Sequence, residues 1–123
     1  MVMVGKLCSV VGTTTTASLQ IADDNIFCQD GYLRESGLIE NMAQTAAAGA
    51  GYLTKSQQKE PLPGFIGGIK DLNILEFPPS GSTIITKVTV THQVFEASVV
   101  KGEVFLEDRL IAECELKIFL MKG

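Results

Sequence analysis

Residues 36–51 of the sequence read SGLIENMAQTAAAGAG, and this stretch carries the clearest structural pattern in the chain. Its apolar side chains recur at intervals of three and four residues, as on one face of an α-helix. They are Leu38, Ile39, Met42, Ala43, Ala46, Ala47 and Ala50. Ser36 is suited to an N-cap, and Gly49 and Gly51 are suited to end a helix. The pattern predicts a helix from about Gly37 to Leu53.

The apolar face of this predicted helix consists mostly of alanine. Small side chains allow a sheet to approach a helix axis closely. We therefore expect strands that wrap around the helix.

Two segments before the helix have the composition of strands. Residues 2–11 are rich in Val and Leu, and residues 13–21 are dominated by β-branched side chains. They predict two antiparallel strands joined near Gly12. Residues 22–36 show no clear period, which indicates an ordered loop, and loops of that length usually have a function.

Four further strand-like segments follow a polar, proline-bearing surface connection at residues 55–63. The predicted strands are Phe65–Glu76, Ser82–Val99, Val100–Glu107 and Arg109–Met121. The predicted breaks between them are Pro78-Pro79-Ser80-Gly81, a bulge near Val99–Lys101 and a tight turn at Glu107–Asp108. In the last segment apolar residues from Ala112 to Leu120 alternate with charged residues, as in a half-buried antiparallel strand. Because the strands do not alternate with helices, we predict an α+β fold in which an antiparallel β-sheet wraps around one long central helix.

Composition limits the classes of partner. The chain has 123 residues, 46% of them hydrophobic, which suits a single domain over residues 1–123 with one hydrophobic core. Its net charge is −4 and its basic residues are scattered, so we expect neither a nucleic-acid nor an anionic-membrane partner.

The cysteines argue against a disulfide framework and against a zinc site. Cys8, Cys28 and Cys114 form no C-x-x-C pair and accompany a single histidine.

No apolar run has the length of a membrane span, and the apolar start is broken at Gly5-Lys6. We expect a cytoplasmic protein without a metal or another cofactor.

The segment Gly37–Gln44 resembles the opening of the central helix in hotdog-fold 3-hydroxyacyl-acyl carrier protein dehydratases, which has a Leu-Ile-x-Glu-x-Met-Ala-Gln run. Other segments are also similar to that family, over nearly the whole chain. They are residues 1–7 for its first strand, Gly67–Lys70 for its third strand, Phe77–Gly81 for the corner after it, and Asp108–Leu116 for its last hairpin.

The resemblance implies a hotdog homodimer or a higher even-numbered oligomer, or a heteromer with an active homologue. The third strands of two subunits would pair, and two acyl-thioester sites would lie at their interface. In each site a loop His from one subunit acts as base and the helix Glu from the other handles the leaving hydroxyl, while a backbone N–H near the loop glycines polarises the thioester carbonyl. Glu40 matches the position of that Glu.

The catalytic histidine of the family is missing from the matching position. The family's His-Phe-Pro-Gly corresponds to Ile26-Phe27-Cys28-Gln29, so only the Phe is kept. The single histidine, His92, lies about fifty residues after the helix motif and is in phase with Val88 and Val90, as a structural histidine on a partly covered sheet face would be.

The remaining site candidates cluster at the loop, the helix start and the third strand. The predicted substrate-binding residues are Asn25, Phe27, Gly31, Gly37, Gln44, Phe65, Ile66, Gly67 and Gly68. Asp30 and Glu35 are possible acids and Cys28 a possible nucleophile, although such residues are more often turn, capping or small apolar groups. Glu40 itself is stabilised in the first turn of a helix even without a chemical role.

Three functions follow from this reading. The first is a dehydratase-like protein that acts on or binds 3-hydroxyacyl or enoyl thioesters of acyl carrier protein or CoA. The second is an acyl thioesterase that uses Glu40 to activate water. The third is a catalytically inactive partner subunit of an active dehydratase.

Overall fold

The computed structural model describes residues 6–54, 64–94 and 97–120. In these ranges the elements are β1 (Lys6–Val11), β2 (Thr14–Gln20), β3 (Cys28–Gln29), β4 (Tyr32–Leu33), α1 (Glu35–Thr54), β5 (Gly64–Ile74), β6 (Thr83–Val94), β7 (Ala97–Leu106) and β8 (Arg109–Leu120). Six strands form an antiparallel sheet in the order β1-β2-β6-β7-β8-β5, and β3 pairs with β4. The predicted α+β architecture is confirmed.

The core lies between α1 and the sheet. On the helix Leu38 and Met42 are completely buried, and the sheet contributes Ile84, Val100, Val104, Ile111 and Leu116. Gly102 of β7 makes room for Met42, because a Cβ at residue 102 would lie 2.5 Å from Met42 Sδ. The sheet and the helix therefore approach closely at this point, where the small residue belongs to the sheet and not to the alanine face of the helix.

The helix is longer than predicted. It begins at Glu35, and its first turn is closed by the bond from Leu38 N to Arg34 O (3.1 Å), so Ser36 lies inside the first turn and is not the N-cap. Gly49 and Gly51 lie within α1 and do not end it. Intrinsic preferences of single residues are weak beside the contacts that a helix makes with a sheet.

The predicted strand Ser82–Val99 is two strands. β6 ends at Val94 and β7 begins at Ala97, and these two residues pair across the hairpin. The predicted division between strands near Val99–Lys101 is wrong, since β7 continues through it. A bulge does lie opposite Val99 and Val100, but the extra residue is in β6, between Val90 and His92. The sequence has neither Gly nor Pro between β6 and β7, and these are the residues that most strongly mark a turn.

Other predicted strands and turns are confirmed. β1 and β2 pair on either side of Gly12, which has a φ of 58°. Glu107 and Asp108 both have positive φ, 51° and 66°, as a two-residue hairpin turn of type I′ requires. In β8 Cys114, Leu116 and Ile118 are buried, as the alternation predicted.

Residues 22–36 include a short hairpin that was not predicted. β3 and β4 are joined by Asp30 and Gly31, whose φ values of 55° and 82° lie in the left-handed region. The predicted connection at residues 55–63 and the first residues of the first predicted strand lie outside the described ranges.

Candidate active site

Glu40 lies on the side of α1 that is turned away from the sheet. Each helical residue is rotated by about 100° from the one before it, so Glu40 is nearly opposite Leu38. The side chain of Glu40 is half-buried, and its Oε1 accepts a hydrogen bond from Gln44 Nε2 at 3.0 Å. The carboxyl group is thus held by a neighbour one turn further along the helix. Part of the residue's surface remains accessible.

Gly37 is packed tightly under the β3–β4 hairpin. A Cβ at this position would lie 2.5 Å from Leu33 Cδ1 and 2.7 Å from Phe27 Cβ. Glycine is therefore needed for close packing between the helix start and the hairpin. The packing brings Phe27, a predicted substrate-binding residue, against the entrance of the helix that carries Glu40.

Asn25 shapes the chain before the hairpin. It is buried, with 8% of its surface exposed, and its Oδ1 accepts a hydrogen bond from Phe27 N at 2.8 Å. Its carbonyl accepts a second bond from Cys28 N at 2.9 Å. Asn25 is thus engaged as a turn-forming group, which is the structural alternative that the sequence allowed for it.

The proline corner after β5 holds the hairpin from the other side. Leu33 N donates to Pro78 O at 2.9 Å and Ser80 N donates to Gly31 O at 2.8 Å. The guanidinium of Arg34 lies 5.1 Å from the centroid of the Phe77 ring. Gly31 is exposed and forms the hairpin turn, so its conformation is accounted for by the turn itself.

The predicted substrate-binding residues of the third strand lie in β5, at one edge of the six-stranded sheet. The register with β8 shifts between Ile66 and Gly68, so that Gly67 forms a bulge, and a Cβ at residue 67 would clash with the ring of Phe119. Ile66 is half-buried against the core. The backbone of Phe65 is described, but its side chain is not.

The surroundings of three further candidates favour structural roles over catalytic ones. They are Cys28, Asp30 and Glu35. Burial raises the pKa of the Cys28 thiol, and the charge of Asp23 adds to this effect, so the thiolate is disfavoured. Asp30 is exposed and pairs with Arg34 at 3.7 Å. Glu35 is exposed in the first turn of α1.

A groove of about 420 Å³ is lined by the β3–β4 hairpin, the proline corner and the β7–β8 turn, including Tyr32, Phe77 and Glu107. Arg109 crosses it, with Nε 3.1 Å from Glu76 Oε1 and Nη2 2.6 Å from Glu76 Oε2. Nη1 of the same side chain donates to Glu107 at 3.0 Å. This ion-pair cluster ties the β7–β8 turn to the segment after β5.

The comparisons with known proteins agree with this architecture. The family model for the ApeP dehydratase, called ApeP-like, matches residues 1–122. The chain belongs to the ApeP-like dehydratase family. Among curated proteins no significant match was found.

Solved structures similar to this ApeP-like chain show the hotdog fold. The dehydratase heterocomplex ApeI:P from Xenorhabdus doucetiae superposes with a TM-score of 0.88 at 17% identity, over 99% of this chain and 84% of that chain. The smu.793 protein of Streptococcus mutans UA159, bound to acetyl CoA, gives 0.72 at 13% identity, over 96% and 89%. PaaI from the phenylacetic acid degradation operon of E. coli gives 0.72 at 14%, over 96% and 80%.

In this ApeP-like chain the place of the expected base is on the surface. Ile26 has 74% of its surface exposed, just before the half-buried Phe27. An isoleucine side chain cannot accept a proton. The residue that matches the family's histidine therefore cannot serve as a base.

His92 does not take over this role. The prediction that it shares a partly covered face with Val90 is wrong, because the bulge between them changes the face on which the following residues lie. Val90 is paired with the buried Val100, whereas His92 is paired with Val99 on the opposite face. The imidazole is exposed on the outer surface of the sheet, beside the Thr91 hydroxyl at 3.4 Å.

Sequence reasoning missed one buried polar pair next to Glu40. Thr86 Oγ1 of β6 donates a hydrogen bond to Asn41 Oδ1, and both residues are 1% exposed. The signal was available, because Asn41 is a polar residue within the helical stretch that faces the core. Among the described residues no group of three or more His, Cys, Asp or Glu side chains is placed to hold a metal ion, and no helix there is long and apolar enough to cross a membrane.

Proposed function

We propose that this chain is one subunit of a cytoplasmic dehydratase for 3-hydroxyacyl thioesters of acyl carrier protein or CoA, and that a second hotdog chain supplies the general base. The observation that carries the proposal is the separation of the two groups that such a reaction needs. Glu40 is half-buried on the side of α1 away from its own sheet, whereas the chain's single histidine lies on the outer face of that sheet.

The chemistry assigns one proton transfer to each subunit. The base of the second chain removes a proton from C2 of the acyl group, and the electron pair of that C–H bond forms the C2–C3 double bond. The C3 hydroxyl leaves as water after it accepts a proton from the Glu40 carboxyl group. The products are a 2-enoyl thioester and water.

The other predicted site residues would bind the thioester around this carboxyl group. A backbone N–H near Gly37 or Gly31 would polarise the thioester carbonyl, and Gln44 would hold Glu40 in place. The remaining members of the proposed site are Asn25, Phe27, Phe65, Ile66, Gly67 and Gly68.

Two observations support a second hotdog chain as the source of the base. The most similar architecture reported above is a dehydratase heterocomplex. In addition β5 is an edge strand, and Ile69, which pairs with the completely buried Leu116 and so faces the helix side, is still 45% exposed. An apolar side chain on the inner face of an open edge is suited to being covered by another subunit.

Reconstitution of the shared site tests the proposal. The experiment uses a hotdog homologue from the same genome that has the His-Phe-Pro-Gly motif. Three samples are compared: this chain alone, the homologue alone, and the mixture of both. Each is incubated with 3-hydroxybutyryl-CoA and with its acyl carrier protein analogue. Mass spectrometry follows the loss of water. We expect the chain alone to be poor and the mixture to be active.

Variants of the homologue show which groups form the active site. Replacing its loop His by Ala should abolish turnover in the mixture, whereas replacing its own helix Glu by Gln should leave turnover that depends on Glu40. Strong turnover by the chain alone would contradict the proposal. It would mean that a group other than a partner histidine serves as base.

Thioester hydrolysis is a second candidate, favoured by the isolated carboxylate of Glu40. A carboxylate that activates water for attack on the thioester carbonyl needs no histidine. Release of free CoA thiol from acyl-CoA by the chain alone, in the form of a homodimer, would support this function. Absence of thiol release, together with dehydration by the mixture, would exclude it.

A further inference from the structure

The contact between α1 and the sheet combines apolar side chains with one directional polar bond. Leu38 and Met42 are completely buried at this contact, while the alanines Ala43, Ala46 and Ala47 are half-buried along the rest of the helix. The hydrogen bond from Thr86 Oγ1 to Asn41 Oδ1 crosses the contact from the central strand β6.

The polar pair is part of a buried group on the sheet side of the helix. Thr45 is 0% exposed, and its Oγ1 donates to Asn41 O at 2.7 Å. No side-chain N or O atom buried in the described ranges lacks a hydrogen-bond partner. A rotation or an axial shift of α1 would break the Asn41–Thr86 bond and leave buried polar atoms unpaired, which is costly.

Apolar contacts alone define the orientation of this helix weakly. Hydrophobic burial is non-directional, and small alanine side chains provide few projections that lock into the opposing surface. A single buried polar pair is known to set the register of packed helices in other proteins. Asn41 is the residue directly after Glu40, so any rotation of α1 that moves one moves the other.

We infer that the Asn41–Thr86 hydrogen bond is a positioning pair, which sets the rotation and axial position of α1 and so the direction of the Glu40 carboxyl group. Neither residue touches the substrate, because both side chains are buried between the helix and the sheet. The consequence for catalysis rests on the proposed dehydratase function. The consequence for the geometry of Glu40 and Gln44 is independent of that proposed function.

Thr86→Val and Thr86→Ser are the matched variants that test the inference. Val has the shape of Thr without the hydroxyl, whereas Ser keeps the donor. In the reconstituted complex we expect Thr86→Val to lower kcat roughly 100-fold with KM unchanged, since a displacement of about 1 Å can cost that much. We expect Thr86→Ser to retain most of the activity.

A spectroscopic measurement tests the geometry without any turnover. The side-chain amide of Gln44 donates to Glu40 Oε1, so its ¹H–¹⁵N resonances report on that bond. We expect these resonances to shift in Thr86→Val and to stay near the wild-type position in Thr86→Ser. Unchanged resonances and unchanged kcat in Thr86→Val would overturn the inference, whereas an inactive wild-type complex with shifted resonances would overturn only the proposed function.

The double variant Asn41→Leu, Thr86→Val covers the case in which Thr86→Val does not fold. Replacing both partners of a buried hydrogen bond by apolar groups removes its donor and its acceptor together and is often neutral for stability. We expect this variant to fold while the Gln44 amide resonances are shifted and kcat is lowered. If it folds with wild-type resonances and kcat, the polar pair does not position Glu40.

Discussion

At the scale of single residues, the environment of Glu40 separates its proposed chemical role from its structural one. Gln44 holds one carboxyl oxygen at 3.0 Å, and the side chain is half-buried on the side of α1 away from the core. Nothing in the packing between the helix and the sheet depends on its charge. Removing that charge should therefore lower the activity far more than the stability of the fold.

Glu40→Gln should abolish activity and preserve the fold. The amide has the same shape and can still accept the hydrogen bond from Gln44, but it cannot transfer a proton. Loss of a proton-transfer group typically costs a factor of about 10²–10⁴. Enoyl-thioester formation by the reconstituted complex and the Tm of the isolated chain are the measurements.

Glu35→Gln is the control for this change, since it removes an exposed carboxylate from the first turn of the same helix. It should retain activity. If Glu40→Gln also stays active, the chemistry lies elsewhere, and Asp30 or Cys28 would then be the next residue to replace.

Gly37→Ala should destabilise the chain by about 1–3 kcal/mol, because overpacking forces neighbouring side chains and backbone to shift. The added methyl group would meet Leu33 Cδ1 at 2.5 Å and Phe27 Cβ at 2.7 Å. Urea unfolding of the isolated chain measures the change. Gly68→Ala is the control, since its nearest contact would be Lys117 Cβ at 3.9 Å, and an equal loss of stability in both variants would contradict the packing argument.

At the scale of elements, the position of the hairpin depends on segments that are distant in sequence. The β3–β4 hairpin is held by the corner at residues 77–81, and this corner follows a segment that Arg109 ties to the β7–β8 turn. Arg109 makes two hydrogen bonds to Glu76, at 3.1 and 2.6 Å. The hairpin is therefore connected by successive contacts to the start of β8.

The Glu76–Arg109 pair should contribute stability that depends on pH. The hydrogen bond from Arg109 lowers the pKa of Glu76 below its usual value of 4.5. A carboxyl whose folded pKa is lowered stabilises the protein above its unfolded pKa, and this contribution is lost as pH falls through the folded pKa. Wild type should therefore exceed Glu76→Gln in Tm near neutral pH, and the difference should shrink as the pH falls below about 4.5.

Thermal melts between neutral and acid pH measure this difference. Arg109→Gln should remove this contribution together with the bond to Glu107, so the double variant should lose little more than Arg109→Gln alone. Parallel curves for wild type and Glu76→Gln down to strongly acid pH would contradict the assignment.

At the scale of the whole molecule, the six-stranded sheet ends in two open edges, β1 and β5. Each edge has an exposed apolar residue, Val11 on β1 at 72% and Ile69 on β5 at 45%. Only Ile69 lies on the helix side of the sheet, as its pairing with Leu116 shows. Substitutions at the two edges can therefore show which edge binds another subunit.

Ile69→Asp should prevent assembly, because it places a charge on the inner face of the edge that we propose to be covered. Light scattering of the chain, alone and mixed with its homologue, measures the oligomeric state. Val11→Asp is the matched control and should assemble as wild type does. Dissociation by Val11→Asp alone would place the interface at β1, and a wild-type chain that is monomeric in both samples would exclude the shared site.

Several features of this protein follow from local sequence patterns. The helical spacing of Leu38, Met42 and Ala46 predicts α1, alternation predicts the buried face of β8, and Glu107-Asp108 marks a turn. These patterns arise from residues within a few positions of one another, where periodicity and turn preference act. The likeness of residues 37–44 to a dehydratase helix likewise pointed to the family and to Glu40.

Other features depend on residues that meet only after folding. The bulge in β6 moves His92 to the outer face, Thr86 reaches Asn41 from 45 positions away, and Gly37 is confined by Leu33 of the hairpin and by Phe27 just before it. Each depends on strand register and on helix orientation, and a shift of one residue in register reverses the face of every following side chain. Local sequence preferences do not determine the strand register. It is set by the packing and pairing of groups that are distant in the sequence.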